Sequence, residues 1–341
     1  MRKRSSHWRG QGLNAFSLAQ CVGFAAAPLL ICFVFGFSLP ANLLAQAGSA
    51  QEKADAAVRA QMHNVKYRFT DNIAVQIHWL TGALVPVGNN ELPIFDDKNS
   101  FRLRIDSGEI AISPADLANL LNSYVFARPN SPLSGISVAV ANGRLKLKGE
   151  LHDKGDIPFE SEGVLTPTPD GRLRLHSDKV KALHVPVKGL MDAFGIGVSD
   201  FIKSGKVPGV QSEKNDLILD LEQILPPPHI EGKVTTVRIE GNSILQIFGG
   251  AGTAPPKLQN ASYMSYRGNR LRFGRLTMDD ADMVLYDLDP ADPLDFFLDH
   301  YKEQVAAGYS KITTNDQLRI YVKDFAKLKS QPKSPAKTKE N

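Results

Sequence analysis

Short runs in which apolar and polar residues alternate dominate the middle of the chain. One such run, 73–79, places four apolar side chains on one face: Ile73, Val75, Ile77 and Trp79. Alternation of this kind indicates a β-strand with one buried face. We predict a strand–turn–strand unit over 65–87 and a hairpin over 101–113 that turns at 106–108. The polar segment 51–64, which precedes the strand–turn–strand unit, is compatible with a helix.

One amphipathic helix is predicted directly after the hairpin. Ser113 suits the N-cap position and Pro114 the first helical position. The apolar stripe that follows has helical spacing and comprises Leu117, Leu120, Leu121 and Tyr124. A second helical segment is predicted over 186–195, and its apolar residues include Leu190, Met191 and Phe194.

Turn signals divide the next part of the chain into further strands. Asn142-Gly143 separates two alternating runs, and this dipeptide is a strong short-range sign of a β-hairpin. Pro169-Asp170-Gly171 joins two more strands, and a further hairpin turns at Gly241-Asn242. A meander of antiparallel strands with few helices predicts the α+β class.

The N-terminus carries the pattern of an export signal. Basic residues within the first nine positions precede an apolar run over about 15–39, and Ala45–Ala47 matches the A-x-A cleavage pattern. We therefore predict a secreted or periplasmic protein, or an inner-membrane anchored one if the segment is retained, because the run is long enough to span a bilayer. Cys21 and Cys32 both lie in this segment, so a cleaved chain would contain no disulfide.

Charge argues against a nucleic-acid partner. The signal contains four of the 40 Lys and Arg residues and none of the 36 acidic residues. The remaining chain therefore has no net positive charge, whereas nucleic-acid-binding domains are basic.

Composition shifts predict a division into five parts. They are 1–47, a signal peptide or anchor; 51–248, the main domain of antiparallel sheet and helices; 249–256, a linker; 257–326, a small C-terminal unit of β-hairpin and helix; and 327–341, a disordered Lys-rich tail.

The order of these elements resembles a known family. An export signal, a hairpin, the helix SPADLANLLNSYV, a meander turning at PDGRLRLHS and the segment DKVKALHVPVKGLMDAF follow one another. Over residues 65–248 this resembles the tubular lipid-binding (TULIP-like) proteins and related bacterial extracytoplasmic phospholipid-binding proteins. The resemblance implies a curved antiparallel sheet wrapped on one or two amphipathic helices, with an apolar groove for acyl chains.

The residues that would line such a groove come from both helices and from the facing strands. They are Leu117, Leu120, Leu121, Tyr124, Val138, Val140, Leu145, Leu173, Leu190, Met191 and Phe194. A sheet with one apolar face has to cover it with protein or with a ligand. A filled core and a lipid-accessible groove therefore both stay open.

Motifs for catalysis are not found, and no cofactor is predicted. The chain contains no H-E-x-x-H, no G-x-S-x-G, no P-loop and no dinucleotide fingerprint. No serine lies in a sequence motif typical of a catalytic nucleophile, and the histidines are not spaced as metal ligands are.

Eight aspartates lie between Asp279 and Asp299. Their spacing does not match a calcium-binding EF-hand loop. Asp292 followed by Pro293 predicts a helix start, with Asp295 in the first turn, where the helix dipole favours a carboxylate. A cation site formed by Asp287, Asp289 and Asp292 is the alternative.

The leading hypothesis is a non-enzymatic protein of the bacterial envelope that binds a lipid or another apolar molecule, with a membrane surface as a further partner. The first alternative is a structural or protein-interaction module with a filled core. The second is a secreted hydrolase that uses carboxylates.

Overall fold

Antiparallel strand pairing organises the described part of the chain. The computed structural model describes residues 56–152, 156–182, 207–250, 254 and 262–329. All of these residues belong to one unit, 45–341. They form two large sheets and a two-stranded hairpin, with a few short helices, which confirms the α+β class and the antiparallel sheets.

The first sheet has eleven strands. In spatial order, its main path is β11 (Val234–Glu240), β12 (Ser243–Phe248), β3 (Phe101–Ile112), β2 (Ile73–Pro86), β1 (Val58–Thr70), β13 (Tyr263–Arg267), β16 (Asp282–Asp287), β19 (Leu318–Val322) and β18 (Tyr309–Ile312). Two further strands join it in parallel: β10 (His229–Glu231) beside β3 and β17 (Leu294–Phe297) beside β1.

The second sheet has six strands. In spatial order, they are β4 (Leu133–Ala141), β5 (Arg144–His152), β6 (Asp156–Pro167), β7 (Leu173–Ala182), β9 (Asp216–Leu219) and β8 (Val210–Glu213). The separate hairpin pairs β14 (Leu271–Phe273) with β15 (Leu276–Met278).

The helices are short. They are α1 (Pro114–Leu120), which continues into a π-helical turn (Leu121–Val125); α2 (Leu221–Ile224); a 3-10 turn (Leu298–His300) followed by α3 (Tyr301–Ala306); and α4 (Phe325–Lys329). No helix in the described ranges is long and apolar enough to cross a bilayer.

Local signals for turns and caps are confirmed. Asn142 and Gly143 join β4 to β5 with φ of 53° and 71°, left-handed values that suit a two-residue hairpin turn. Ser113 caps α1, because its Oγ accepts a hydrogen bond of 3.0 Å from the Asp116 N–H.

Two predictions near the start of the sheet are wrong. The segment 51–64, predicted to be compatible with a helix, enters strand β1 at Val58. Its alternating apolar residues belong to a strand that pairs with both β2 and β13. The turn predicted at 106–108 is part of the continuous strand β3. Gly108 lies opposite Leu80, where a Cβ atom would approach the Trp79 carbonyl oxygen to 3.0 Å, so this glycine permits close strand approach rather than a turn.

The helix predicted to start at Pro293 is also wrong. Residues Leu294–Phe297 form β17, which adds to β1 in parallel register. Asp295 is held there by Arg68, whose Nε and Nη2 atoms lie 2.5 and 2.9 Å from its two carboxylate oxygens. A long-range strand pairing and a partly buried ion pair therefore override the local helix signal, and α3 begins only at Tyr301.

The segment between β2 and β3 is anchored by one aromatic side chain. Phe95 is 3% exposed. Its ring centroid lies 5.1–6.2 Å from those of four other rings: Phe101, Tyr266, Phe273 and Tyr301. This cluster joins the first sheet, the β14–β15 hairpin and α3.

Helix α1 packs against β2 of the first sheet and β4 of the second. Asn122, just after the helix, accepts a hydrogen bond from the Ile136 N–H (2.8 Å) and donates one to the Ile136 carbonyl (2.6 Å). Its amide also donates to the Ala118 carbonyl at 2.8 Å. One side chain thus bonds the helix to the edge of the second sheet.

Candidate functional site

The two faces of the second sheet differ in chemistry. On one face, Arg144 of β5 lies 3.0 Å from Glu162 of β6 and also pairs with Asp178 of β7. Lys148 lies 3.7 Å from Glu160 on the same pair of strands. Exposed ion pairs of this kind contribute little to stability, but they mark the face that water covers.

The opposite face of the second sheet is apolar. Its buried side chains include Leu145, Leu165, Leu173, Leu175, Leu217 and Leu219. Across the β4–β5 ladder, Val138 lies opposite Leu147 and Val140 opposite Leu145. Val138, Val140 and Leu147 remain half-buried although they lie on the apolar face. The described residues therefore cover this face incompletely at its β4 edge.

The structure places most of the predicted groove residues close to this face. Leu120, Leu121, Leu145 and Leu173 are buried in the main hydrophobic cluster, whereas Leu117, Val138 and Val140 are half-buried against it. Tyr124 is 38% exposed. The other three predicted residues, Leu190, Met191 and Phe194, lie outside the described residues, as does the predicted second helix.

Two cavities lie elsewhere in the described parts of the chain. One of about 10 Å³ lies in the core of the first sheet, beside Phe95 and Tyr266, and has room for about one water molecule. The other is an open depression of about 720 Å³ along β8, lined by Val207, Val210 and Gln211 among others. Neither cavity includes a predicted groove residue.

The predicted cation-site residues belong to an ion-pair network. Asp287, Asp292 and Asp324 each have a carboxylate oxygen within 4.8 Å of the others. The Lys327 ammonium lies 2.8 Å from Asp289, 3.1 Å from Asp292 and 2.8 Å from Asp324. These contacts raise the pKa of Lys327. A lysine thus supplies positive charge among the carboxylates.

Asp287 is, with Asp324, one of two buried members of this network, and 1% of its surface is exposed. Burial raises its pKa to about 7, and the nearby carboxylates of Asp324 and Asp292 act in the same direction. The Asp289 N–H, which donates to Asp287 Oδ1 at 2.8 Å, and the charge of Lys327 oppose this shift. The environment of Asp287 therefore favours the protonated form of its carboxyl far more than water does.

One group of polar residues is not anticipated from the sequence. The Ser134 hydroxyl lies 2.8 Å from Nε2 of His152, whose Nδ1 lies 2.6 Å from Asp156. The Asn142-Gly143 turn alone would place Ser134 opposite Leu151, and only the β-bulge between Ser134 and Ser137 brings Ser134 to the same face as His152.

Comparisons with family models, with curated proteins and with solved structures identify no match to this chain. The resemblance to TULIP-like proteins therefore stays a prediction.

Proposed function

We propose that this protein is an exported envelope protein that binds a lipid or another apolar molecule along the β4 edge of the second sheet. The observation that carries the proposal is the incompletely covered apolar face at Val138, Val140 and Leu147. Half-buried valine and leucine side chains on the inner face of a sheet are a suitable surface for an acyl chain, because burying them removes more apolar area from water.

The finer architecture belongs to the same proposal. In it, the second sheet curves around α1 and the predicted second helix, as the TULIP resemblance implies. The contact of α1 with β4 and the exposed ring of Tyr124 near the end of that helix support this arrangement. Tyrosine suits the mouth of such a groove because its ring contacts apolar chains while its hydroxyl stays hydrated.

Replacing Val140 by asparagine should reduce uptake of a fluorescent fatty-acid probe at least fivefold, because a polar amide would face the acyl chain. Titration of the purified full chain with the probe measures this. Ala139→Asn is the matched control, since Ala139 is its exposed neighbour on the charged face, and it should bind the probe as the unmodified protein does. Equal loss in both variants, or an unmodified protein that takes up no probe and carries no lipid in native mass spectrometry, would contradict the proposal.

A structural or protein-interaction module is the second candidate. It is favoured by the complete burial of Leu120, Leu121, Leu145 and Leu173, each no more than 4% exposed. This candidate predicts that the same titration shows no saturable uptake.

A further inference from the structure

Three side chains meet at one end of the second sheet. Ser134 lies on β4, His152 is the last residue of β5 and Asp156 is the first residue of β6. His152 and Asp156 face each other across the β5–β6 ladder. The imidazole bridges the other two: its Nδ1 lies 2.6 Å from Asp156 Oδ1 and its Nε2 lies 2.8 Å from Ser134 Oγ.

These contacts favour one tautomer of a neutral His152 beside an ionised Asp156. An ionised carboxylate only accepts hydrogen bonds, so the His152 Nδ1–H donates to Asp156. In the neutral imidazole Nε2 is then the acceptor, and the Ser134 hydroxyl donates to it. This is the arrangement in which an imidazole removes the proton of a serine hydroxyl as that oxygen attacks a carbonyl carbon.

The surroundings of Ser134 are open to a substrate. The β4–β5 register shifts between Ser134 and Ser137, so the chain bulges beside the hydroxyl. Gly135 adopts a φ of 58°, and a side chain at this position would meet no atom within 4 Å. The side chains of His152 and Asp156 are 36% and 71% exposed. Among the described residues, Ser134 is half-buried and its two partners are accessible to water.

We propose that Ser134 is the nucleophile of a second, solvent-facing site that hydrolyses small unhindered carboxylic esters, with His152 as general base and Asp156 as the positioning residue. This activity goes beyond binding of an apolar ligand and does not depend on it.

The reaction would take place in two steps. Ser134 Oγ attacks the ester carbonyl carbon while its proton moves to His152 Nε2; the bond to the alcohol oxygen then breaks, and that oxygen takes the proton from Nε2. The acyl group is now bound to Ser134. Water attacks the acyl carbon and gives a proton to Nε2, which returns it to Ser134 Oγ as the carboxylic acid leaves.

Exposure limits the rate of this reaction. Water screens the attraction between Asp156 and the imidazolium that forms on His152, so this charge pair is worth less than in a closed site. We therefore expect slow turnover of esters with good leaving groups, such as p-nitrophenyl acetate, and no cleavage of amides.

Labelling by a fluorophosphonate probe tests the proposal. The full chain should acquire one phosphonyl group, located at Ser134 by peptide mass spectrometry. Ser134→Ala should abolish labelling, and His152→Gln should slow it, together with ester hydrolysis, at least tenfold. Asp156→Glu should retain more of the labelling rate than Asp156→Ala, because it preserves a carboxylate that can orient the imidazole.

The chain offers matched controls for both residue types. Ser137 is an exposed serine on the same strand, and Ser137→Ala should label at the unmodified rate. His176 lies 2.5 Å from Asp216, but its other nitrogen faces Asp178 rather than a serine, so His176→Gln should also have no effect. Circular dichroism verifies that each variant is folded. No labelling of the folded protein, labelling at another residue, or an undiminished rate in His152→Gln would overturn the proposal.

Discussion

Replacing Phe95 by alanine should lower the free energy of unfolding by about 3–5 kcal/mol, the usual range for truncating a buried phenylalanine. Phe95 is 3% exposed and contacts four rings that belong to different elements of the fold. The substitution removes apolar burial and also leaves a cavity that these rings cannot fill without shifting. Urea denaturation of the unmodified and variant chains measures the difference.

Leu276→Ala is the control for this experiment. Leu276 lies in the β14–β15 hairpin and is 48% exposed. Its truncation should change the free energy of unfolding by no more than about 0.5 kcal/mol. A Phe95→Ala variant as stable as this control would show that the aromatic cluster does not anchor the segment between β2 and β3.

Asp287→Asn should make the protein more stable at pH 8 and reduce its loss of stability between pH 4 and pH 8. The folded state keeps Asp287 protonated up to about pH 7, whereas the ordinary pKa, expected in the unfolded chain, is 3.8. The stabilisation from this raised pKa is fully present below about pH 4 and is lost as the pH rises through 7. A difference of about 3 pKa units corresponds to at most about 4 kcal/mol.

The amide in Asp287→Asn cannot ionise, and its oxygen can still accept the hydrogen bond from the Asp289 N–H. Measuring the free energy of unfolding of the unmodified and variant chains at several pH values therefore isolates the effect of the Asp287 charge. Asp282→Asn is the control, because Asp282 lies at the opposite end of the same strand and its side chain is 44% exposed. The stability difference between Asp287→Asn and the unmodified chain should change with pH more than the difference for Asp282→Asn does. Parallel pH profiles for Asp287→Asn and the unmodified chain would contradict the prediction.

Elements with a local cause could be predicted from the sequence. The Asn142-Gly143 turn and the capped start of α1 depend on residues within a few positions of each other, so short-range chemistry specifies them. Strand β17 depends on β1, more than 200 positions earlier in the chain, and on Arg68. No periodicity in the segment around Asp295 contains that information, and the local helix signal was misleading there.

The candidate sites follow the same rule. Apolar alternation places Leu145 and Leu173 on one face of their strands, and both side chains are buried. It could not determine whether protein or a ligand covers the half-buried Val138 and Val140, because both partners favour the same residues. Ser134 and Asp156 meet His152 only through the register of three strands. That register includes a β-bulge that no pattern in the sequence predicts.

The bond between Asn122 and Ile136 also bears on self-association. Strand β4 is an edge of the second sheet, and edge strands offer unpaired backbone groups to other chains. The Asn122 side chain forms hydrogen bonds with both the N–H and the carbonyl of Ile136. A second molecule could not extend the sheet past this residue without displacing that amide. The helix therefore closes one position of this edge to strand addition by a second molecule.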